Sequence, residues 1–147
     1  MPEQKTFNYS LANILVSFGT IVINEASRDG FITIVPKADL WNSKVHGRGT
    51  GTRSQVLNFG YDITLVLPQA SPINALLSAA AEADRLTGGG AAPFLVKSAR
   101  GSSLFKSEQV WIKRLPDMDF QNDDQDRTWT LECTSGTMFH GTSVPLV

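Results

Sequence analysis

The chain has 147 residues, of which 41% are hydrophobic and 18% charged, with a formal net charge of −1. A length of this order suits a single domain, spanning residues 1–147, with a sizeable core. The near-neutral balance argues against a dedicated nucleic-acid binder, and the low share of charge fits a surface partly covered by partners.

The opening MPEQKTFNYS lacks a basic start followed by an apolar run, so no signal peptide is expected. No apolar stretch approaches the ~18 residues that span a bilayer, so no membrane partner is expected either. In the cytosol-like setting that follows, the Asn8-Tyr9-Ser10 sequon has no meaning.

The first elements are strands. Residues 13–18 and 20–24 are β-branched and apolar, interrupted at Gly19, and residues 31–35 form a third such run before Pro36. Asp29-Gly30 between the last two is a hairpin signal, because glycine accepts the positive φ of a tight turn. The segment 38–54 is polar and glycine-rich yet joins two strong strands, and reads as a long extended arm. A longer strand is expected over residues 55–67, with alternation of Asp62 and Thr64 against Ile63 and Leu65.

Residues 71–87 read as a helix. Ser71 can cap it, Pro72 fits its first position, and Ile73, Leu76, Leu77 and Ala80 recur on one face. Alanines at 75, 79, 80, 81 and 83 add propensity, the polar face carries Glu82, Asp84 and Arg85, and Gly88-Gly89-Gly90 ends it. A packed amphipathic helix on a sheet follows. Further strands are expected at 94–97, 109–115 and 128–134, the last two flanking an acidic turn and pairing. Cys133 shares a face with Trp129 and Leu131 and reads as a small buried hydrophobe. As the single cysteine, it leaves no intrachain disulfide and no multi-cysteine zinc site.

The chemistry of the chain is sparse. VHGRGTGTR, residues 45–53, has glycines in G-x-G-x-G spacing, but strand follows instead of the helix that a dinucleotide site needs, and no P-loop Gly-Lys-Ser/Thr is present. His46 and His140 are the two histidines, and neither has a ligand-spaced neighbour. LPDMDFQNDDQDR lacks the glycine and closing glutamate of a calcium loop. No serine–histidine–acid set can be nominated, so no catalytic residue, metal or cofactor is expected. The arm carries Lys44, Arg48 and Arg53 with no acid between residues 44 and 53. The later turn carries Asp117, Asp119, Asp123, Asp124 and Asp126 against Arg127. Two protrusions of opposite sign suit a head-to-tail contact, which closes into a ring or grows into a filament. Two unrelated solvated loops would show the same charges. A monomeric module that binds phosphate or nucleic acid through residues 45–53 is the alternative.

The order of these elements resembles the tail tube proteins of contractile bacteriophages. The resemblance is carried by GTIVINEASRDGFITIV, the arm, NFGYDITLVLPQASPINALL and WTLECTSG, and covers residues 7–140. It implies a mainly β fold, a β-sandwich or open barrel with one flanking helix, whose strands join a β-barrel between subunits. Hexameric rings would stack into a tube that conducts the genome during injection. The implied partners are other copies of the chain, tail sheath, baseplate and tape-measure proteins, and passing DNA. The place is the virion, after assembly in the host cytoplasm. On this reading Trp41, Lys44, Val45, His46, Arg48 and Arg53 of the arm, with the five aspartates of the turn, make subunit or ring contacts.

Overall fold

The computed structural model describes residues 14–23, 31–98 and 103–140. Among them the order is β1 (Ile14–Phe18), β2 (Ile21–Ile23), β3 (Ile32–Pro36), β4 (Trp41–Val45), β5 (Gly51–Gln55) and β6 (Tyr61–Pro68). Helix α1 (Ile73–Thr87) follows, then β7 (Ala92–Ser98), β8 (Ser103–Arg114), β9 (Asp126–Cys133) and β10 (Thr137–Met138). The protein is mainly β, antiparallel, with one flanking helix, as the sequence pattern predicts.

Eight strands form one sheet in the order β2-β1-β7-β8-β9-β6-β3, with β10 on β8. β1 and β2 are a hairpin about Gly19, whose φ of 59° glycine alone adopts without strain. The Asp29-Gly30 turn lies outside the described residues. The strands on either side of it, β2 and β3, are not a pair: they stand at opposite borders of the sheet. β3 pairs β6 instead, with Ile32 opposite Leu65 and Ile34 opposite Ile63. Apolar β-branched runs specify strands but not partners. β8 and β9 pair as expected.

Alternation builds the core. Ile63, Leu65 and Leu67 of β6 and Leu131 and Cys133 of β9 are fully buried, and Trp129 is nearly so. They join Val16, Phe18, Phe94, Phe105 and Val110 in one cluster. Cys133 is thus the small buried hydrophobe its neighbours imply. The opposite face is wet. Thr33, Thr64 and Thr130 form a row across β3, β6 and β9. Beside them Lys37 reaches Glu132 at 2.5 Å and Asp62 at 3.5 Å, and Lys113 lies 3.6 Å from Glu132.

The helix lies across the core face, bonded to β9 at its start and touching β2. Ser71 Oγ accepts from the Ile73 amide at 3.3 Å, and Pro72 sits just ahead with φ −66°. Ile73 and Leu77 are buried and Ala80 packs behind them. Leu76, expected on this face, is 52% exposed. At about 100° per residue it falls about 65° from the middle of the stripe that Ile73, Leu77 and Ala80 define, on the side beyond Ala80. Gly88 ends the helix with φ 70°, its amide bonded to Asp84 O at 2.7 Å.

Two expectations about residues 38–67 change. The extended arm is doubled back on itself: β4 and β5 make a two-stranded ribbon with Trp41 opposite Gln55 and Val45 opposite Gly51. The strand expected over residues 55–67 starts only at Tyr61. The reason lies in the ladder between. Lys37 N bonds Gly60 O at 3.0 Å, and Val56 N bonds Leu40 O at 3.0 Å. Two residues, Ala38 and Asp39, therefore face three, Leu57, Asn58 and Phe59. That extra residue is a bulge, which ends the ladder and turns the ribbon away from the sheet.

Candidate assembly interface

The ribbon stands clear of the body, with every residue from Asp39 to Gln55 exposed. Pairing sorts its side chains. Trp41, Ser43, Val45, Arg53 and Gln55 share one face, while Asn42, Lys44, Thr52 and Ser54 share the other. On the first face Arg53 stacks over the Trp41 ring, 3.9 Å from its centroid, which holds both side chains in place. On the second, His46 Nε2 lies 3.2 Å from Thr52 Oγ1. Trp41, Leu40 and Val45 bury little against this chain: they are 43%, 68% and 76% exposed.

The tip is a plain turn. Gly49 adopts φ 82°, its amide donates to His46 O at 2.9 Å, and the His46 amide donates to Thr50 O at 2.8 Å. These donors are spent inside the turn and do not converge on an anion, so the glycines of residues 45–53 supply bending and not a phosphate cradle. Arg48 lies in the turn and is exposed.

The aspartates occupy the β8–β9 connection and the first residue of β9. Asp117 lies 3.8 Å from Arg114. Asp119 accepts from Gln121 Nε2 at 2.7 Å, and its carbonyl accepts from Arg127 Nη2 at 3.1 Å. The Gln125 amide donates to Gln69 Oε1 at 3.2 Å, tying the loop to the end of β6. Asp123 and Asp124 lie at the exposed outer bend. No group of three or more histidine, cysteine or acidic side chains among the described residues is arranged to hold a metal. Apolar side chains that the charge pattern does not flag accompany the acids: Leu115, Met118 and Phe120 are 57%, 81% and 75% exposed. Their signal in the sequence is large apolar residues inside an otherwise acidic loop.

The two charged features do not meet within one molecule. The arm leaves β6 at Tyr61. The acidic loop ends at Asp126, which is paired with Pro68 at the other end of that strand. Eight strand residues separate them, about 24 Å. One end of the domain thus presents cations with Trp41 and Val45, and the opposite end presents aspartates with Met118 and Phe120. Between the ends, β2 and β3 are the border strands of the sheet, and among the described residues no further strand pairs with either.

No protein-family model matches the chain. It is similar to "Structural protein ORF10" of Pseudomonas phage KPP10, 30% identical over 135 residues, covering 83% of this chain and 78% of that protein. Its fold is shared by the tube-terminating cap of the anti-feeding prophage, with TM-score 0.65, 13% identity and 95% of each chain covered. It is shared too by the sheath/tube terminator of the PVC extracellular contractile injection system, with TM-score 0.61, 14% identity, and 92% of this chain and 99% of that one. The sheath-tube complex of the PVC system gives TM-score 0.56 at 15% identity, over 90% of this chain and 91% of that one.

Proposed function

Because the chain belongs to the family of the phage KPP10 structural protein, we propose that it is a tail tube subunit, assembling into hexameric rings that stack around a lumen for the genome. At the coarser level the chain is a structural component of a contractile tail and a virion protein, not an enzyme. The observation that carries the finer reading is the opposition of ends along β6: a basic, apolar ribbon at Tyr61 and an acidic, apolar loop at Pro68. Surfaces that differ at the two ends of one subunit make heterologous contacts, which close into rings or extend into tubes. The borders at β2 and β3, open among the described residues, support it further, since a strand from another copy would complete each ladder. A barrel closed between subunits removes such edges.

The wet face of the sheet suits a lumen wall. Over β3, β6 and β9 its threonine row is uncharged and Lys37 and Lys113 are matched by Asp62 and Glu132, so that part of the face holds DNA phosphates weakly, while Lys97 and Lys106 stand on its β7–β8 part. The remaining partners would be sheath, baseplate and tape-measure proteins, met during assembly in the host cytoplasm. The binding-module alternative is weakened by the tip geometry, in which the His46 and Gly49 amides are already bonded inside the turn.

A second reading has one observation of its own. Two of the structures sharing the fold are tube terminators, and a terminator would form a single ring that does not propagate. Negative-stain electron microscopy of the purified protein, with sedimentation velocity, tests both. Stacked tubes support the tube subunit; isolated rings that never stack support the terminator. A strict monomer at high concentration overturns both.

A further inference from the structure

Beside the acidic loop is a groove of about 190 Å³, bounded by the start of α1 through Asn74 and Ser78, by Trp129 and Arg127 of β9, and by Leu115 and Met118. We propose that this groove is the seat for the arm of another copy, entered by the ribbon face that carries Trp41, Val45 and Arg53. The proposal deepens the head-to-tail reading and rests on it.

Three features of the two surfaces match. The groove offers apolar walls in Leu115, Met118 and the edge of Trp129, with Asp117 on its rim, 93% exposed at the side chain. The ribbon face offers, on adjacent positions, an apolar tip in Val45 and a cation in Arg53 that Trp41 already holds in place. The space is that of about six water molecules, which suits one or two inserted side chains and no larger body. The occupant cannot be the chain's own arm, because the arm leaves the opposite end of β6. The exposed apolar side chains at both ends, otherwise a liability, become the buried centre of the contact, with the opposite charges as its rim.

A pair of exposed cysteines tests it. Val45→Cys with Met118→Cys is oxidised mildly in the assembled particle, and Val45→Cys with Leu86→Cys, at the far end of the helix, serves as control. Since residues 45 and 118 lie at opposite ends of one molecule, any disulfide between them joins two copies. A ladder of covalent multimers for the first pair and none for the control is expected. Rings or tubes that form normally but show no link between positions 45 and 118, or as much link in the control, overturn the groove while leaving the head-to-tail reading standing. Failure of the unsubstituted chain to assemble at all overturns both. In a second measurement, Asp117→Lys raises the concentration needed for assembly by at least about tenfold, and adding Arg53→Glu to the same chain restores most of it. No restoration also overturns the seat.

Discussion

Trp129 Nε1 donates to Asn74 Oδ1 at 2.9 Å, joining the middle of the sheet to the first turn of the helix. Asn74 completes the junction by donating from Nδ2 to Pro68 O at 2.8 Å and Gln69 O at 3.3 Å. One amide therefore closes the β6–α1 turn and satisfies a buried indole. The same junction forms one wall of the groove at the acidic end.

Asn74→Leu leaves the indole N–H and a turn carbonyl unpaired. A loss of about 1–3 kcal/mol is expected, read as a lowered urea midpoint with an unchanged slope.

Leu77 and Leu76 adjoin in sequence but not in environment. Leu77→Ala empties a fully buried site and is expected to cost about 2–5 kcal/mol. Leu76→Ala changes stability by no more than about 0.5 kcal/mol. Equal losses in chemical unfolding would contradict the placement of the helix.

Gly60 is buried where a Cβ would lie 2.9 Å from both Cys133 O and Lys37 Cδ. Gly60→Ala is expected to destabilise by about 1–3 kcal/mol. Gly47→Ala, with nothing within 4 Å, serves as the neutral comparison in thermal unfolding.

The Glu132 carboxyl is held below its ordinary value of 4.5, first by the hydrogen bond from Lys37, with burial working against it and the Lys37 and Lys113 charges adding to it. A depressed acid contributes stability that is present above pH 4.5 and is lost as pH falls through the folded-state value. Lys37→Met removes the largest part of that contribution and leaves the smaller part from Lys113. The gap between parent and variant in urea midpoint is expected to be widest near neutrality and to close in acid. A gap that stays constant would assign the effect to lost packing of the lysine stem.

Lys44, Arg48 and Arg53 stand on a ribbon whose residues 39–55 are all exposed. Their joint change to glutamate is expected to leave unfolding within about 0.5 kcal/mol of the parent and to abolish assembly. Assembly of the unsubstituted chain is expected to weaken with added salt, because exposed charges are screened over about 8–10 Å at physiological ionic strength. Normal assembly of the triple variant would discard the charge pairing.

The elements themselves were legible because their signals are local. Alternation at Ile63, Leu65 and Leu67 needs only the two-residue repeat of a strand, and Ser71-Pro72 with the glycines at 88–90 brackets the helix from short-range chemistry alone. Trp129, Leu131 and Cys133 announced a buried face in the same way. The arm was legible as an anomaly, though not as a ribbon, since its strands lack the apolar alternation by which packed strands are recognised.

Sequence by itself thus determined the mainly β character, the position of the helix, the signs of charge on the arm and loop, and the family resemblance. Each of these depends on residue types read a few positions apart. Tertiary structure alone decided that β2 and β3 border the sheet without pairing, that a bulge frees the ribbon, and that arm and acidic loop occupy opposite ends of β6. Those facts depend on which strands meet and in what register, and pairing energies between distant segments leave no periodic trace along the chain.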